Sequence, residues 1–328
     1  MNGVVRVNNK IVYSIIVPLY NEELVIGESY KRLKKVMDIT KENYEIIFVN
    51  DGSKDRTRIM VEEICYSNAS IKLINFSRNF GHQAAITAGM EKASGEAIVV
   101  IDADLQDPPE VILEMIDKWK LGYKVVYGKR TKREGESWFK KTTALVFYRL
   151  LKSMTTIDIP VDAGDFRLID RKVCDDLMKL PEKNRYVRGL ISWIGYSQTY
   201  VEFTRKERFA GKTKYNLKKM LKLAFDGITG FSSKPLMLSN YLGGLSFFIG
   251  AVTILIDIIG SIVNQSSIMN LPMILGINLV MFGLVFFTVG IMGQYIARIF
   301  DESKDRPLYI IDSYVDGKEM KKKYEIFS

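Results

Sequence analysis

The sequence predicts an α/β fold built on a mostly parallel sheet, followed by a two-helix transmembrane hairpin. Three observations carry this prediction. Short apolar runs alternate with helical patterns through the first part of the chain, which implies βαβ units and a parallel sheet. Polar clusters stand at the ends of successive apolar runs, where open α/β sheets bind their ligands. Residues 236–297 are almost free of charge, enough for two spans of about 20 apolar residues each.

Ile11–Pro18 reads as a buried strand stopped by proline, and Tyr20-Asn21-Glu22-Glu23 leads into a helix over Leu24–Met37. Glu45–Val49 is a second strand. It ends in Asn50-Asp51-Gly52-Ser53, a turn signal, and Asp55 stands ready to cap a helix that runs to Cys65. Ile71–Asn75 is a third strand, Ser77–Gln83 a loop, and Ala84–Lys92 an Ala-rich helix. Glu96–Ile101 is a fourth strand leading into Asp102-Ala103-Asp104-Leu105-Gln106-Asp107-Pro108-Pro109. A helix over Pro109–Trp119 and a strand over Lys124–Tyr127 follow.

Asp102 and Asp104, at i and i+2, share a face if the strand continues through them. Two hard oxygen ligands at that spacing suit Mg²⁺ or Mn²⁺ rather than zinc. Alone, Asp-x-Asp reads more readily as an acidic turn in solvent. Its company changes the reading: Tyr20–Glu22, Asp51, Arg78–Asn79 and Asp102–Gln106 all fall at strand ends and converge on one sheet edge, as a metal–diphosphate site requires. No Gly-x-Gly-x-x-Gly or Walker lysine pattern is present, which disfavours a dehydrogenase or a P-loop ATPase. His82 is the chain's single histidine. Without a second His or a Cys it makes a poor metal site, and it reads as a hydrogen-bonded loop residue.

The net charge of +9 points to anionic partners, phosphates or an anionic membrane surface. No helix-turn-helix, RNP or zinc pattern is present, so nucleic acid is not indicated. Cys65 and Cys174 read as buried thiols, and Met1–Lys10 lacks the apolar segment of a signal peptide. Two stretches, 137–154 and 214–231, are basic and amphipathic and suit helices in a membrane interface. Leu236–Val263 and Leu271–Ala297 are joined only by Asn264–Asn270, so they form an antiparallel hairpin. The joint has no Lys or Arg, whereas Lys218, Lys219, Lys222 and Lys234 precede the first span and Arg298, Lys304 and Arg306 follow the second. The positive-inside rule then places both ends in the cytoplasm. Asp257, near the outer end of its span, reads as interfacial. The expected organisation is a sheet domain over 1–212, an interface helix over 213–234, the hairpin over 235–298 and a polar tail over 299–328, with Pro307–Ile311 as an edge strand.

Six stretches in order carry a family resemblance: Val17-Pro18-Leu19-Tyr20-Asn21-Glu22-Glu23, Asn50-Asp51-Gly52-Ser53-Lys54-Asp55-Arg56-Thr57, Arg78-Asn79-Phe80-Gly81-His82-Gln83-Ala84, Asp102 through Glu110, Gly164-Asp165-Phe166-Arg167-Leu168, and Arg208-Phe209-Ala210-Gly211-Lys212-Thr213-Lys214-Tyr215. The chain resembles family-two glycosyltransferases of the GT-A fold, in the branch that glycosylates polyprenyl phosphates: bactoprenol glucosyltransferases and dolichyl-phosphate mannose synthases. The resemblance implies a Rossmann-like GT-A sheet domain. It implies that Pro18, Tyr20, Glu22 and Asp51 hold the base and ribose of a nucleotide sugar, with Asp102 beside them. Asp102, Asp104 and Gln106 would bind the divalent ion that bridges the donor diphosphate. Asp165 stands where related enzymes place a base, and either a base or an acceptor-orienting role is open to it.

An anionic acceptor beside an anionic donor needs cations. Lys129, Arg130 and Arg133 form one group and Arg205, Arg208 and Lys212, read as loop residues, another; either suits a phosphate clamp, with Arg130 and Arg208 the preferred pair. The expected activity is inverting transfer of one sugar, foremost glucose from UDP-glucose, to undecaprenyl phosphate at the cytoplasmic face of the cell membrane. Other sugars (N-acetylglucosamine, mannose, an aminoarabinose type) and a processive polysaccharide synthase are the enzymatic alternatives; a membrane-tethered nucleotide-sugar binding protein is the non-enzymatic one, and Asp102 and Asp104 argue against it. Membrane lipids are expected partners, and homo-oligomerisation is open.

Overall fold

Eight strands form one mixed sheet in the order β7-β5-β6-β4-β1-β2-β3-β8. The computed structural model describes residues 10–133, 163–205, 234–264 and 271–319. The central strands β1 (Tyr13–Leu19), β2 (Tyr44–Asn50), β3 (Ile71–Phe76) and β4 (Ala97–Val100) are parallel and almost wholly buried. That burial explains their unbroken apolar composition, since helices cover both faces of such a sheet. The intervening helices are α1 (Ile26–Ile39), α2 (Thr57–Ser67), α3 (His82–Lys92) and α4 (Val111–Lys120).

The sheet changes direction beyond β4. Strand β5 (Val125–Arg133) and β6 (Ala163–Asp170) pair antiparallel, and β6 also runs antiparallel to β4. The following helices α5 (Arg171–Met178) and α6 (Val187–Ile194) lead to β7 (Gln198–Arg205), parallel to β5 at the sheet edge. Asp165 lies inside β6. Two expectations change here. Arg205 ends a strand instead of lying in a loop. His82 opens helix α3 rather than sitting in the preceding loop. The strand β7 went unpredicted because its alternating pattern is short and charged, with only Val201 and Phe203 buried along its length.

Proline in a central strand is normally excluded, yet Pro18 sits in β1. The Ile16 carbonyl accepts from Ile101 N at 3.1 Å, so the even-numbered residues of β1 face β4. Pro18 comes after the last β1–β4 pair, Ile16↔Val100, and its missing N–H leaves no ladder bond unmade.

The chain divides into two compact units. The sheet and its helices form the first, and the chain from Pro307 onward belongs to it. The edge strand there is β8 (Ile311–Asp316), a few residues later than Pro307–Ile311, antiparallel to β3. The second unit holds α7 (Lys234–Asn264) and α8 (Leu271–Ser303). Among the described residues, one helix, Gly276–Ser303, is long and apolar enough to cross a membrane, with mean hydropathy 2.0 and none of it buried; Tyr241–Ile256 is a shorter apolar stretch. The interface helices expected over 137–154 and 214–231, and most of the joint between the apolar helices, lie outside the described residues, as does the Asp257 side chain.

Candidate active site

The loops after β1 and β2 are laced together by side chain to backbone bonds. Asn21 N donates to Ser53 Oγ at 2.9 Å, Glu22 N to Thr57 Oγ1 at 2.8 Å, and Lys54 N to Asn21 Oδ1 at 2.8 Å. Asp55 accepts from Thr57 N at 3.0 Å and from Glu23 N at 3.2 Å. The N-cap of α2 is Arg56, without a capping side-chain bond, so Asp55, expected as the cap, instead ties the neighbouring loop to the helix start. A cleft of about 360 Å³ opens beside them, lined by Asn21, Glu23, Leu24, Lys54 and Asp55. Tyr20 and Glu22 lie in the same loop, just beyond β1.

Asp51 is buried, and its carboxylate accepts from Phe80 N at 2.6 Å and Gly81 N at 3.0 Å. It fastens the loop after β3 to the turn after β2. Burial pushes its pKa up against those two N–H donors. Gly52 makes this approach feasible: its φ is +65°, and an added Cβ would fall 2.5 Å from the Arg78 carbonyl carbon.

The carboxylate stretch is a turn, not a continued strand. β4 ends at Val100, and Leu105 takes a left-handed φ of 58° before the two prolines. The i, i+2 strand geometry therefore does not apply to Asp102 and Asp104. They nevertheless share a neighbourhood. Asp104 is buried and accepts from Gln106 N at 3.1 Å. Asp102 is pushed up to about 6, first by burial and then, against the opposing charge of His82, by the carboxylates of Asp104, Asp107 and Asp165.

Asp165 reaches this cluster from β6. His82 Nε2 is 3.2 Å from its Oδ2 and 3.6 Å from Asp102 Oδ1. Gln83 Nε2 donates to the same Oδ2 at 3.3 Å, and Arg188 Nε is 3.2 Å from Oδ1. Burial alone would raise the Asp165 pKa; the charges of Arg188 and His82 outweigh it and hold the group far below the carboxylate range. Burial alone would likewise lower His82, but Asp102 and Asp165 push it up to about 9. His82 thus stands between two carboxylates of the site, Asp165 and Asp102. No sequence motif marked Arg188; only the fold brings α6 against β6.

Of the expected cations, Arg130 is 3.0 Å from Asp107 Oδ2, and Arg205 Nη2 donates to Gln106 Oε1 at 2.8 Å. Gln106, a metal ligand in what the resemblance implies, thus also accepts from Arg205 through its carbonyl oxygen. Lys129 is drawn to the exposed Glu202 at 2.8 Å. Arg208, Lys212 and the Arg133 side chain lie outside the described residues.

Among the described residues, no group of three or more His, Cys, Asp or Glu side chains is arranged to hold a metal ion. Asp102 and Asp104 still fit a hard divalent cation. Burial first, and then the neighbouring carboxylates, raise the proton affinity of Asp102, and a hard divalent cation would relieve that repulsion.

Residues 14–178 match glycosyl transferase family 2. The chain is 60% identical over 313 residues to the uncharacterized glycosyltransferase YkcC of Bacillus subtilis (strain 168), covering 95% of this chain and 96% of that one. It is 39% identical over 302 residues to the bactoprenol glucosyl transferase of Shigella phage SfV, covering 91% and 97% of the two chains. A crystal structure of glucosyl-3-phosphoglycerate synthase from Mycobacterium tuberculosis with Mn²⁺, UDP-glucose and phosphoglyceric acid aligns at 16% identity, over 67% of this chain and 78% of that one, with a TM-score of 0.45. A carboxylate turn at the rim of a mostly parallel sheet, a family match over half the sequence and full-length relatives lead to one conclusion: the chain belongs to glycosyl transferase family 2 and is a glycosyltransferase.

Proposed function

We propose that the protein transfers one sugar, foremost glucose from UDP-glucose, to undecaprenyl phosphate at the cytoplasmic face of the membrane. The observation that carries this reading is that the turn holding Asp102 and Asp104 also binds the guanidinium groups of Arg130 and Arg205, through Asp107 and Gln106. An anionic donor and an anionic acceptor need both kinds of group together. The similarity to a phage bactoprenol glucosyl transferase along nearly its whole length supports the lipid acceptor.

In this reading Pro18, Tyr20, Glu22 and Asp51 form the nucleotide rim, and Asp102 and Asp104 hold Mg²⁺ or Mn²⁺. The bound ion neutralises charge on the departing nucleoside diphosphate. The acceptor phosphate, with a second pKa of about 6, is already largely dianionic at neutral pH, so no strong base is required. Asp165, fixed by Arg188, His82 and Gln83, orients the acceptor or a sugar hydroxyl. Arg130 and Arg205, with Arg208 and Lys212 from the adjoining segment, offset charge between the two substrates.

Chain connectivity supports two membrane crossings. β8 follows α8 in sequence, yet it pairs with β3, which precedes α7. A single crossing would strand β8 across the bilayer from its partner. An even number of crossings keeps both ends on one side, and the flanking lysines and arginines favour the cytoplasmic one.

The direct test incubates purified full-length protein with undecaprenyl phosphate, Mn²⁺ and a panel of nucleotide sugars, and reads the lipid by mass spectrometry. One added hexose from UDP-glucose is expected. A polymer would indicate a processive synthase instead, and no product with any donor would sink the proposal.

A further inference from the structure

Asp107 is buried to 1% exposure within the turn closed by Pro108 and Pro109. A carboxylate so placed is costly unless paired. Arg130 Nη2 lies 3.0 and 3.3 Å from its two oxygens, and Arg205 Nε lies 3.7 Å from Oδ1. Arg205 is also tied to Gln106, so consecutive residues of one turn fix both cations. Burial and then the charge of Arg130 hold the Arg205 pKa below its usual value, while Asp107, Asp104 and Asp102 pull the other way. One shared carboxylate, Asp107, lies against both guanidinium groups, and the charges of Asp104 and Asp102 also act on Arg205.

Gly164 supplies a second, independent constraint. A Cβ built there would fall 2.5 Å from Arg130 Nη2. Its φ is not left-handed, so the missing side chain matters for space rather than for backbone freedom. The guanidinium group of Arg130 is thus held between the Asp107 carboxylate and a bare stretch of β6, one residue from Asp165.

We infer that Asp107 is a positioning residue, which together with the bare Gly164 holds Arg130 and Arg205 as a paired receptor for a phosphate oxyanion. That oxyanion belongs to the acceptor lipid or to the donor diphosphate. The inference deepens the proposed function and rests on it for the identity of the lipid, but not for the existence of the receptor. A guanidinium pair reads phosphate through several N–H donors at once and depends on geometry. Loss of the organising carboxylate leaves both charges in place and removes their alignment.

The test compares wild type, Asp107→Asn, Asp107→Glu and Gly164→Ala as full-length protein in detergent. Binding of UDP with Mn²⁺ and of undecaprenyl phosphate in micelles is measured by calorimetry, alongside thermal melting and, where turnover is seen, the KM for each substrate. Asp107→Asn and Gly164→Ala are expected to weaken one phosphate ligand about tenfold, with Asp107→Glu recovering part of the loss. Weakened lipid phosphate binding assigns the receptor to the acceptor, and weakened UDP binding assigns it to the donor. Should Asp107→Asn fail to fold, Gly164→Ala decides, since the three atoms nearest its Cβ all belong to the guanidinium end of the Arg130 side chain. Folded variants that bind both ligands within about twofold of wild type overturn the inference. A wild type that binds UDP but transfers no sugar overturns the proposed function, while the binding comparison still decides the receptor.

Discussion

The Asp165 carboxylate lies 3.2 Å from the Arg188 guanidinium group. With His82 and Gln83 on its other oxygen, it is a fixed anion whose pKa is held far below the usual range. Such a group is a poor proton acceptor and a good anchor. Asp165→Asn is therefore expected to lower kcat by about 10- to 100-fold, leaving the rise of rate with pH intact. That rise should follow the lipid phosphate, with an apparent pKa of about 6. Steady-state rates across pH for both proteins check this. A loss beyond about 10⁴-fold with disappearance of the acid limb would restore Asp165 as the base.

The Asp102–Asp104 turn yields a second expectation. Asp104→Ala and Asp102→Asn should each abolish Mn²⁺-dependent UDP binding and lower transfer by about 10³-fold or more, since the divalent ion no longer offsets charge on the departing diphosphate. Gln106→Ala should act differently. Its side chain carries Arg205, so metal-dependent UDP binding is expected to survive. Calorimetric titration of UDP with and without Mn²⁺ distinguishes them. Loss of Mn²⁺ dependence in Gln106→Ala would return that residue to the ligand set.

The path of the chain around the apolar helices can be read with introduced cysteines. The native thiols Cys65 and Cys174 are both buried, so a membrane-impermeant maleimide reports mainly the new residue. Ser267→Cys, in the joint, is expected to label in intact cells. Ser303→Cys, at the end of α8, is expected to label only after lysis. External labelling at both positions would break the two-crossing topology.

The central fold was legible because a parallel sheet buried on both faces demands continuous apolar strands. β1 to β4 therefore announce themselves, and their polar ends locate the rim. What escaped reading depended on tertiary partners. β7 is half polar, Arg188 carries no motif, and the partners of Asp107, Arg130 and Arg205, come to it only through the fold. Gln106 shows the limit most clearly. Its place in a carboxylate motif suggests a ligand, but which atom it meets depends on a strand about 100 residues later in the chain.

A last expectation concerns stability at the opposite end of the sheet. Glu45 is buried at 1% exposure on β2, where it accepts from Ser14 Oγ and Ser94 N, both at 2.6 Å, and pairs with Lys72 at 2.7 Å. Burial would lower the Lys72 pKa; the Glu45 carboxylate outweighs it and raises the value. A lysine raised on folding contributes its stability fully below its unfolded pKa of about 10.4, and that contribution fades as pH climbs through the higher folded value. Glu45→Gln removes the closer counter-charge and leaves Lys72 with Asp316 at 3.9 Å. It is expected to cost about 3 kcal/mol at neutral pH, as the breaking of buried pairs does, and to shrink the alkaline loss of stability. Thermal melting of wild type and variant from neutral to about pH 11 measures both effects. Identical melting at neutral pH would show that Glu45 does not depend on its charge.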